Sequence, residues 1–357
     1  MASTKRLAMI AASVAAMALP LAACGGTPTQ TAATANKTLK VSTFSFGLEA
    51  YEESIIKPFE AKTGIDVEVV HGRNAERLNE LDATGNAAGV DVMIITDNFA
   101  AQGQAKNLFQ KVDASKVPSL ADVADFAKTA DYNGPATTYQ LNGVVYDTRK
   151  LDAATASDWA LFGSPEVKGK VALPDISATA GQLVVSGLGT AYGSGPFDYD
   201  TAIGKLVEWK PGVLKFYSTT TEVSNLITQG EIVAADSIST FAATLISSDS
   251  NYAFAVPSKG AYMATNRAMI PTGAGNVEGA HQFIDFLMSA EAQEAAAKAY
   301  NDLPVNTKVT VPDTLVKALG DVAKDPVAAG YQVLDSEKVA SGYSALAERF
   351  TREVTGS

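Results

Sequence analysis

The order of apolar and polar residues near the start of the chain predicts alternating strands and helices. Residues 39–44 alternate as a strand does, and residues 51–62 place apolar side chains at helical spacing before Gly64, which suits a left-handed helix cap. Residues 65–70 form a second predicted strand, and residues 89–95 form a third, apolar enough to be covered on both faces. This order predicts a doubly wound α/β unit, whose ligands bind beyond the carboxyl ends of the strands.

A second run of strands and helices follows the turn predicted at residues 132–135. Its predicted strands lie at residues 138–145, 171–173, 213–217 and 232–235, and an extended segment at residues 252–257 is expected to return to the first unit. We expect the chain to cross between the two units near Ala136, Pro257 and Leu303, and helices at residues 277–300 to pack on the first unit. The repeated order therefore predicts two lobes.

The N-terminal residues predict export from the cytoplasm. Residues 1–23 begin with basic side chains and continue as an apolar run too short for the roughly 20 residues of a membrane span, as in a secretory signal peptide. Small residues precede Cys24, the only cysteine, and resemble the lipobox of bacterial lipoproteins. The resemblance implies a lipid on Cys24 that holds the protein at the extracytoplasmic face of the cell membrane, with residues 24–38 as a flexible tether. The alternative is an ordinary signal peptide with an incidental cysteine.

Composition excludes several classes of protein. A net charge of −11 argues against a nucleic-acid partner. One cysteine allows no internal disulfide and no zinc finger, and the two histidines, His71 and His281, lie far apart without a second ligand at metal spacing. No nucleophile elbow, phosphate loop or kinase signature occurs, so we expect no catalytic residue, no metal and no cofactor.

Several short segments together resemble one protein family. They include Lys-Pro-Phe-Glu-Ala-Lys-Thr-Gly-Ile-Asp-Val at residues 57–67, Val-Asp-Val-Met at 90–93, Gly-Val-Val-Tyr-Asp at 143–147 and Phe-Ile-Asp-Phe-Leu at 283–287. Their sequence and order resemble the solute-binding proteins of ABC importers, most closely the polyamine and iron branches. The resemblance implies a small-molecule ligand, with spermidine or putrescine first. It also implies a monomer that docks on a membrane permease pair served by a cytoplasmic ATPase.

The same resemblance implies an α/β, two-lobed, periplasmic-binding-protein-like fold of type II, with the ligand cleft between the lobes. We expect lobe one to hold residues 39–136 and 257–303, and lobe two to hold residues 137–256 and 304–357. In this family the C-terminal tail often packs on lobe two.

The loops that follow the predicted strands supply the candidate ligand contacts, because such loops converge on a cleft. The candidates are Phe44, Ser45, Phe46, Asp97, Tyr139, Asp175, Ser177, Thr179, Thr220, Asp236, Ser239 and Tyr262. Aromatic faces combined with carboxylates suit ammonium groups. The pattern therefore favours a cationic amine.

Other features leave the ligand open. Ser177 and Ser239 lie at predicted helix starts, which bind anions or are simply N-caps. The polyamine branch carries a further acid where this chain has Thr179, and the iron branch uses adjacent tyrosines that this chain lacks. Iron, thiamine and a phosphonate or other anion are the alternative ligands. An anchored extracellular hydrolase and a scaffold lipoprotein are the alternative classes of protein.

Overall fold

The structure is a computed structural model that describes residues 37–128 and 131–356. The predicted signal peptide and the lipidation of Cys24 lie outside the described residues. None of the helices in these two ranges combines the length and the apolar character needed to cross a membrane.

The described residues form twelve strands and thirteen α-helices. The strands are β1 (Thr38–Thr43), β2 (Asp66–His71), β3 (Val92–Thr96), β4 (Phe109–Gln110), β5 (Ala136–Asp147), β6 (Val171–Pro174), β7 (Val213–Tyr217), β8 (Ala234–Ile238), β9 (Tyr252–Ala255), β10 (Tyr262–Pro271), β11 (Leu303–Pro304) and β12 (Gln332–Val333). The helices are α1 (Leu48–Tyr51), α2 (Lys57–Thr63), α3 (Asn74–Thr84), α4 (Asp97–Ala105), α5 (Ala153–Ala156), α6 (Thr179–Tyr192), α7 (Tyr199–Trp209), α8 (Thr220–Thr228), α9 (Ser239–Ser248), α10 (Val277–Met288), α11 (Ala290–Tyr300), α12 (Asp313–Leu319) and α13 (Ser336–Phe350).

The main strands pair in the order β2-β1-β3-β10-β5-β8-β6-β7. Parallel pairs occupy both ends, while β10 and β5 run antiparallel in the middle. Strand β5 belongs to both halves, because residues 136–141 pair with β10 and residues 142–146 pair with β8. We call the half with β1, β2, β3 and β10 lobe one, and the half with β6, β7, β8 and β9 lobe two. The two-lobed α/β fold class is confirmed, and the residue boundaries of the lobes stay a prediction.

The first helical segment, residues 48–63, shows how apolar side chains at helical spacing become buried. Helices α1 and α2 are joined without a break by a π-helical turn at Glu52–Ile56. Phe59 is fully buried and meets the ring of Phe283 edge-on at 4.9 Å between centroids. Gly64 ends the helix with φ of 70°, a backbone conformation that glycine adopts easily. The predicted helix is thus confirmed, although it begins earlier, at Leu48.

Strand β10 is the main element absent from the predicted set. All ten of its residues are buried, so it lacks the alternation that marks a half-exposed strand. The neighbouring segment also differs from its expected place. Strand β9 pairs with residues 144–147 of β5, on the lobe-two side, and the chain reaches lobe one only where β10 begins.

The C-terminal segment contacts both lobes. Helix α12 packs against α9 in lobe two, whereas α13 packs against α4 in lobe one. The ring of Tyr343 in α13 lies 5.6 Å from that of Phe99, and its hydroxyl donates to the carbonyl oxygen of Ile176 at 3.1 Å. The tail is therefore shared between the lobes.

Candidate functional site

A cavity of about 150 Å³ lies where the ends of several strands from both lobes meet. Lobe one contributes the segment after β1, the end of β3, part of β10 and the segment after α11. Lobe two contributes the starts of α6, α8 and α9, and β5 runs along the cavity. This is the position expected for a ligand of an α/β protein.

Four of the sequence candidates line this cavity, namely Phe44, Phe46, Thr179 and Thr220. Phe46 is the most open of them, with 44% of its surface exposed. The cavity continues outward into a mouth of about 410 Å³, which Ser45 and Ser177 help to line.

The structure does not bring the three predicted carboxylates to the cavity wall. Asp97 is buried and accepts a hydrogen bond from the backbone N–H of Thr265 at 2.9 Å; burial raises its pKa. Asp236 is also buried and accepts from the side-chain amide of Asn142 at 2.9 Å; burial raises its pKa well above the usual range. Asp175 instead caps the next turn, where its carboxylate accepts from the backbone N–H of Ser177 at 2.8 Å.

Three further candidates are engaged elsewhere in the fold. The Tyr139 hydroxyl donates to the carbonyl oxygen of Ala323 at 2.9 Å, and the hydroxyl of Ser239 accepts from the backbone N–H of Leu141 at 3.0 Å. The Tyr262 hydroxyl lies 2.8 Å from the hydroxyl of Thr190. A ligand role for these three residues and the three carboxylates stays a prediction that no cavity contact supports.

The register of β5 explains the position of Tyr139. Successive residues of a strand point to opposite faces. Thr138 and Gln140 line the cavity, and Tyr139 between them points to the other face, with its ring edge-on to Phe126 at 5.1 Å. Thr137, at the start of the strand, also contributes to the lining. The predicted candidate on β5, Tyr139, thus lies on the opposite face from Thr138 and Gln140.

The carboxylate that does line the cavity belongs to Asp302, which was not among the candidates. Burial raises its pKa to about 6, while hydrogen bonds from the side chains of Thr138, Thr240 and Gln140 oppose that rise. The Thr240 hydroxyl donates to it at 3.3 Å. None of these three partners carries a positive charge. Asp302 directly precedes Leu303, where a crossing between lobes was expected, and that position is the signal that could have identified it.

Three buried oxygen atoms on residues that line the cavity have no hydrogen-bond partner among the described residues. They are the side-chain carbonyl oxygens of Gln140 and Asn266 and the hydroxyl of Tyr51, and all three residues line the cavity. The ring of Tyr51 meets that of Tyr300 at 6.0 Å, which adds aromatic surface beside the carboxylate. Unpaired buried oxygens beside a carboxylate are suited to a ligand that donates several hydrogen bonds.

The residues that line the mouth suit a different kind of ligand group from those of the inner cavity. It is lined by Arg73 and by the starts of α6 and α8. Thr219 caps α8 within a capping box completed by Glu222, whereas α6 has no side-chain cap. A side chain thus caps α8, whereas no described side chain, including that of Ser177, caps α6, and none, including that of Ser239, caps α9.

Known proteins resemble this chain along most of its length. Residues 54–326 match the model of a family described as bacterial extracellular solute-binding proteins. Spermidine/putrescine-binding periplasmic protein 1 of Haemophilus influenzae is 24% identical over 298 residues, which cover 80% of each chain. Iron uptake protein A1 of Synechocystis is 21% identical over 323 residues, or 85% of this chain and 86% of that one.

A solved structure agrees with this assignment. The crystal structure of an ABC transporter from Clostridium perfringens superposes with a TM-score of 0.72 at 29% identity, covering 88% of this chain and 99% of the other. The family match spans well over half of the chain, and it includes β5, β10 and Asp302. The chain therefore belongs to the bacterial extracellular solute-binding proteins and is the solute-binding protein of an ABC importer.

Proposed function

We propose that this protein captures a small organic amine outside the membrane, with the ammonium group bound by Asp302. The observation that carries the proposal is a carboxylate in the cavity whose hydrogen-bonding partners, Thr138, Thr240 and Gln140, are all uncharged. An ammonium group offers three donors and a positive charge. It would satisfy Asp302 together with the unpaired oxygens of Gln140 and Asn266.

The expected strength of this contact is substantial. A hydrogen bond to a charged group contributes about 1.5 to 3 kcal/mol, which corresponds to roughly ten- to a hundredfold in affinity. Aromatic surface from Phe44 and Tyr300 lies in the same cavity and adds cation–π attraction.

Polyamines are the first amines to test. The Haemophilus influenzae relative is named for spermidine and putrescine. The cavity volume of about 150 Å³ is close to that of an engineered cavity that holds benzene, so it suits roughly six non-hydrogen atoms in the inner part. Putrescine, with six such atoms, fits that size.

We also propose where the protein acts and which proteins receive its solute. A lipid on Cys24 would hold the protein at the outer face of the cell membrane, where it would deliver solute as a monomer to a permease pair and its ATPase. The family membership supports a binding role rather than an enzymatic one.

An anion is the second candidate ligand, and the mouth of the cleft favours it. Arg73 and the uncapped start of α6 both line the mouth. Helix N-termini attract anions, and a guanidinium pairs with phosphate-like groups. A phosphonate would bind there without using Asp302.

Calorimetric titration of the purified full chain separates these ligands. The ligands are putrescine, spermidine, ferric citrate, thiamine and a simple phosphonate. We expect the amines to bind, Asp302→Asn to weaken them at least tenfold, and Asp236→Asn to leave them unchanged. Asp236→Asn is a matched control because Asp236 is buried away from the cavity. Tight phosphonate binding with no response to any amine would exclude the amine proposal.

A further inference from the structure

Part of the cavity that Asp302 lines lies among side chains of lobe one, and we call this part the channel. This channel runs between the first helical segment and α11, and its walls are formed by Ile55, Leu287, Ala292 and Ala296. These side chains are apolar and at most 7% exposed. The channel therefore suits an apolar segment of a ligand rather than a charged one.

Local helix geometry contributes to one wall of the channel. The π-helical turn at Glu52–Ile56 interrupts the regular spacing of the first helical segment. Tyr51 directly precedes this turn and Ile55 lies within it, and both residues line the cavity. Single π-helical turns of this kind occur frequently at functional sites.

Gln293 contributes an unpaired donor to the same channel. Its side-chain oxygen accepts from the backbone N–H groups of Val305 and Asn306, both at 2.8 Å. These two donors fix the orientation of the amide, because the amide nitrogen cannot accept. The nitrogen of Gln293 has no partner, although the residue is only 1% exposed and lines the channel. An unpaired buried donor is costly, so this position suits a ligand that brings a hydrogen-bond acceptor.

We infer that the preferred solute is an elongated monoamine with a neutral hydrogen-bond acceptor at its far end, an inference that rests on the proposed function. The ammonium group binds Asp302, the apolar chain occupies the channel, and the acceptor receives a hydrogen bond from Gln293. Gln293 and Tyr300 both lie in α11, where the rise of the helix separates them by about 10 Å along its axis. Tyr300 lies two residues before Asp302. We therefore expect several methylene groups between the two polar ends of the solute.

The charged groups of the cavity wall disfavour a charged group at the far end of the solute. Among the described residues that line the cavity and its channel, Asp302 is the only carboxylate, and there is no lysine or arginine. A second ammonium or a carboxylate beside Gln293 would be buried without a counter-charge. A neutral alcohol or amide oxygen satisfies Gln293 without that penalty.

Calorimetry with three ligand series of matched length tests the inference on the full chain. The series are n-alkylamines, amino alcohols and diamines, each with two to eight methylene groups. We expect affinity for the amino alcohols to rise about fourfold per methylene until the channel is full. At the best length the amino alcohol should bind about tenfold tighter than the alkylamine, with the diamine weakest.

Two variants assign these effects to the channel. Ala296→Met fills it and should weaken the long amino alcohols at least tenfold while leaving ethanolamine unchanged. Gln293→Glu keeps an oxygen that accepts from Val305 and Asn306 but replaces the donor with a carboxylate. It should reverse the preference, so that the diamine binds tighter than the amino alcohol of equal length.

The outcomes distinguish the two proposals. If no amine binds, the proposed function is wrong. If amines bind through Asp302 but length, Ala296→Met and Gln293→Glu have no effect, the channel inference fails and the proposed function stands. A wild-type preference for the diamine would also overturn the channel inference.

Discussion

The Thr240 hydroxyl donates a hydrogen bond to the carboxylate of Asp302 at 3.3 Å. Thr240 lies in the first turn of α9 in lobe two, whereas Asp302 directly precedes β11, which pairs with residues 138–139 of β5 in the lobe-one half of that strand. The proposed ammonium site is thus assembled from segments of both lobes. At this distance the bond is weak, so ligand binding has room to tighten it.

Amine affinity should depend on pH through Asp302. Its pKa of about 6 means that the carboxylate is ionised at pH 7.5 and mostly protonated at pH 5. We expect affinity to fall about tenfold between these values, because only the ionised form attracts an ammonium group. Titration of putrescine or an amino alcohol across this range measures the change.

Asp236→Asn should show the same pH profile as the wild-type protein, since Asp236 lies outside the cavity. Asp302→Asn should bind weakly at every pH. A wild-type affinity that stays constant from pH 5 to pH 8 would exclude Asp302 as the ammonium partner.

Tyr343 should influence the opening of the lobes. Its hydroxyl donates to the carbonyl oxygen of Ile176 in lobe two, while its helix packs against α4 in lobe one. Tyr343→Phe removes one hydrogen bond of about 1 kcal/mol, so we expect the unliganded variant to sample more open states. Small-angle scattering should give a larger radius of gyration without ligand and a wild-type value at saturation.

Tyr192→Phe is the control for this measurement, because Tyr192 is 39% exposed on lobe two and has no comparable interlobe bond among the described contacts. Wild-type protein should become more compact when an amine is added, as expected for hinge closure. A radius of gyration that does not change on saturation would argue against closure itself.

The sequence predicted most elements of the fold because most of them carry clear periodicity. Residues 213–217 were predicted as a strand and form β7, and the helices of residues 277–300 appear as α10 and α11. Strand β10 was missed because both of its faces are buried, so it shows no alternation, and because the buried polar residues Thr265, Asn266 and Arg267 interrupt its apolar run.

The site was predicted less well than the fold, for a geometric reason. Sequence patterns identify the loops that follow strands, and Phe44 and Thr179 were found in that way. Sequence patterns do not determine to which face of a fully buried strand a residue points. On β5, Tyr139 was the candidate, whereas its neighbours Thr138 and Gln140 line the cavity. Asp302 was missed because it follows a helix rather than a strand.

Cys24→Ser tests the lipid anchor, which rests on the sequence alone. Cys24 is the only cysteine and closes the lipobox-like segment, so the variant cannot be acylated there. If the lipid holds the protein, the variant should leave the membrane fraction and appear in the soluble extracytoplasmic fraction. Retention of Cys24→Ser in salt-washed membranes would contradict lipid anchoring, and the wild-type chain carried through the same fractionation is the control.

Asp302 should also destabilise the unliganded protein at neutral pH. Its pKa is about 6 in the folded protein, against an ordinary value of 3.8 for a free aspartate side chain. Between these values the folded state binds a proton that the unfolded state does not, so this group's contribution to stability falls as pH rises through 6. Above pH 6 the folded protein holds a partly buried charge, at a cost on the order of 1 to 3 kcal/mol.

Asp302→Asn should therefore raise the thermal unfolding temperature by several degrees at pH 8, and the gain should vanish near pH 3, where Asp302 is largely protonated in both the folded and the unfolded state. Scanning calorimetry without ligand measures the difference. Asp321→Asn is the control, because the side chain of Asp321 is 91% exposed. An equal gain at both pH values would mean that packing rather than ionisation causes it. A stabilised variant that no longer binds amines would show that this carboxylate is maintained for ligand binding despite its cost to the fold.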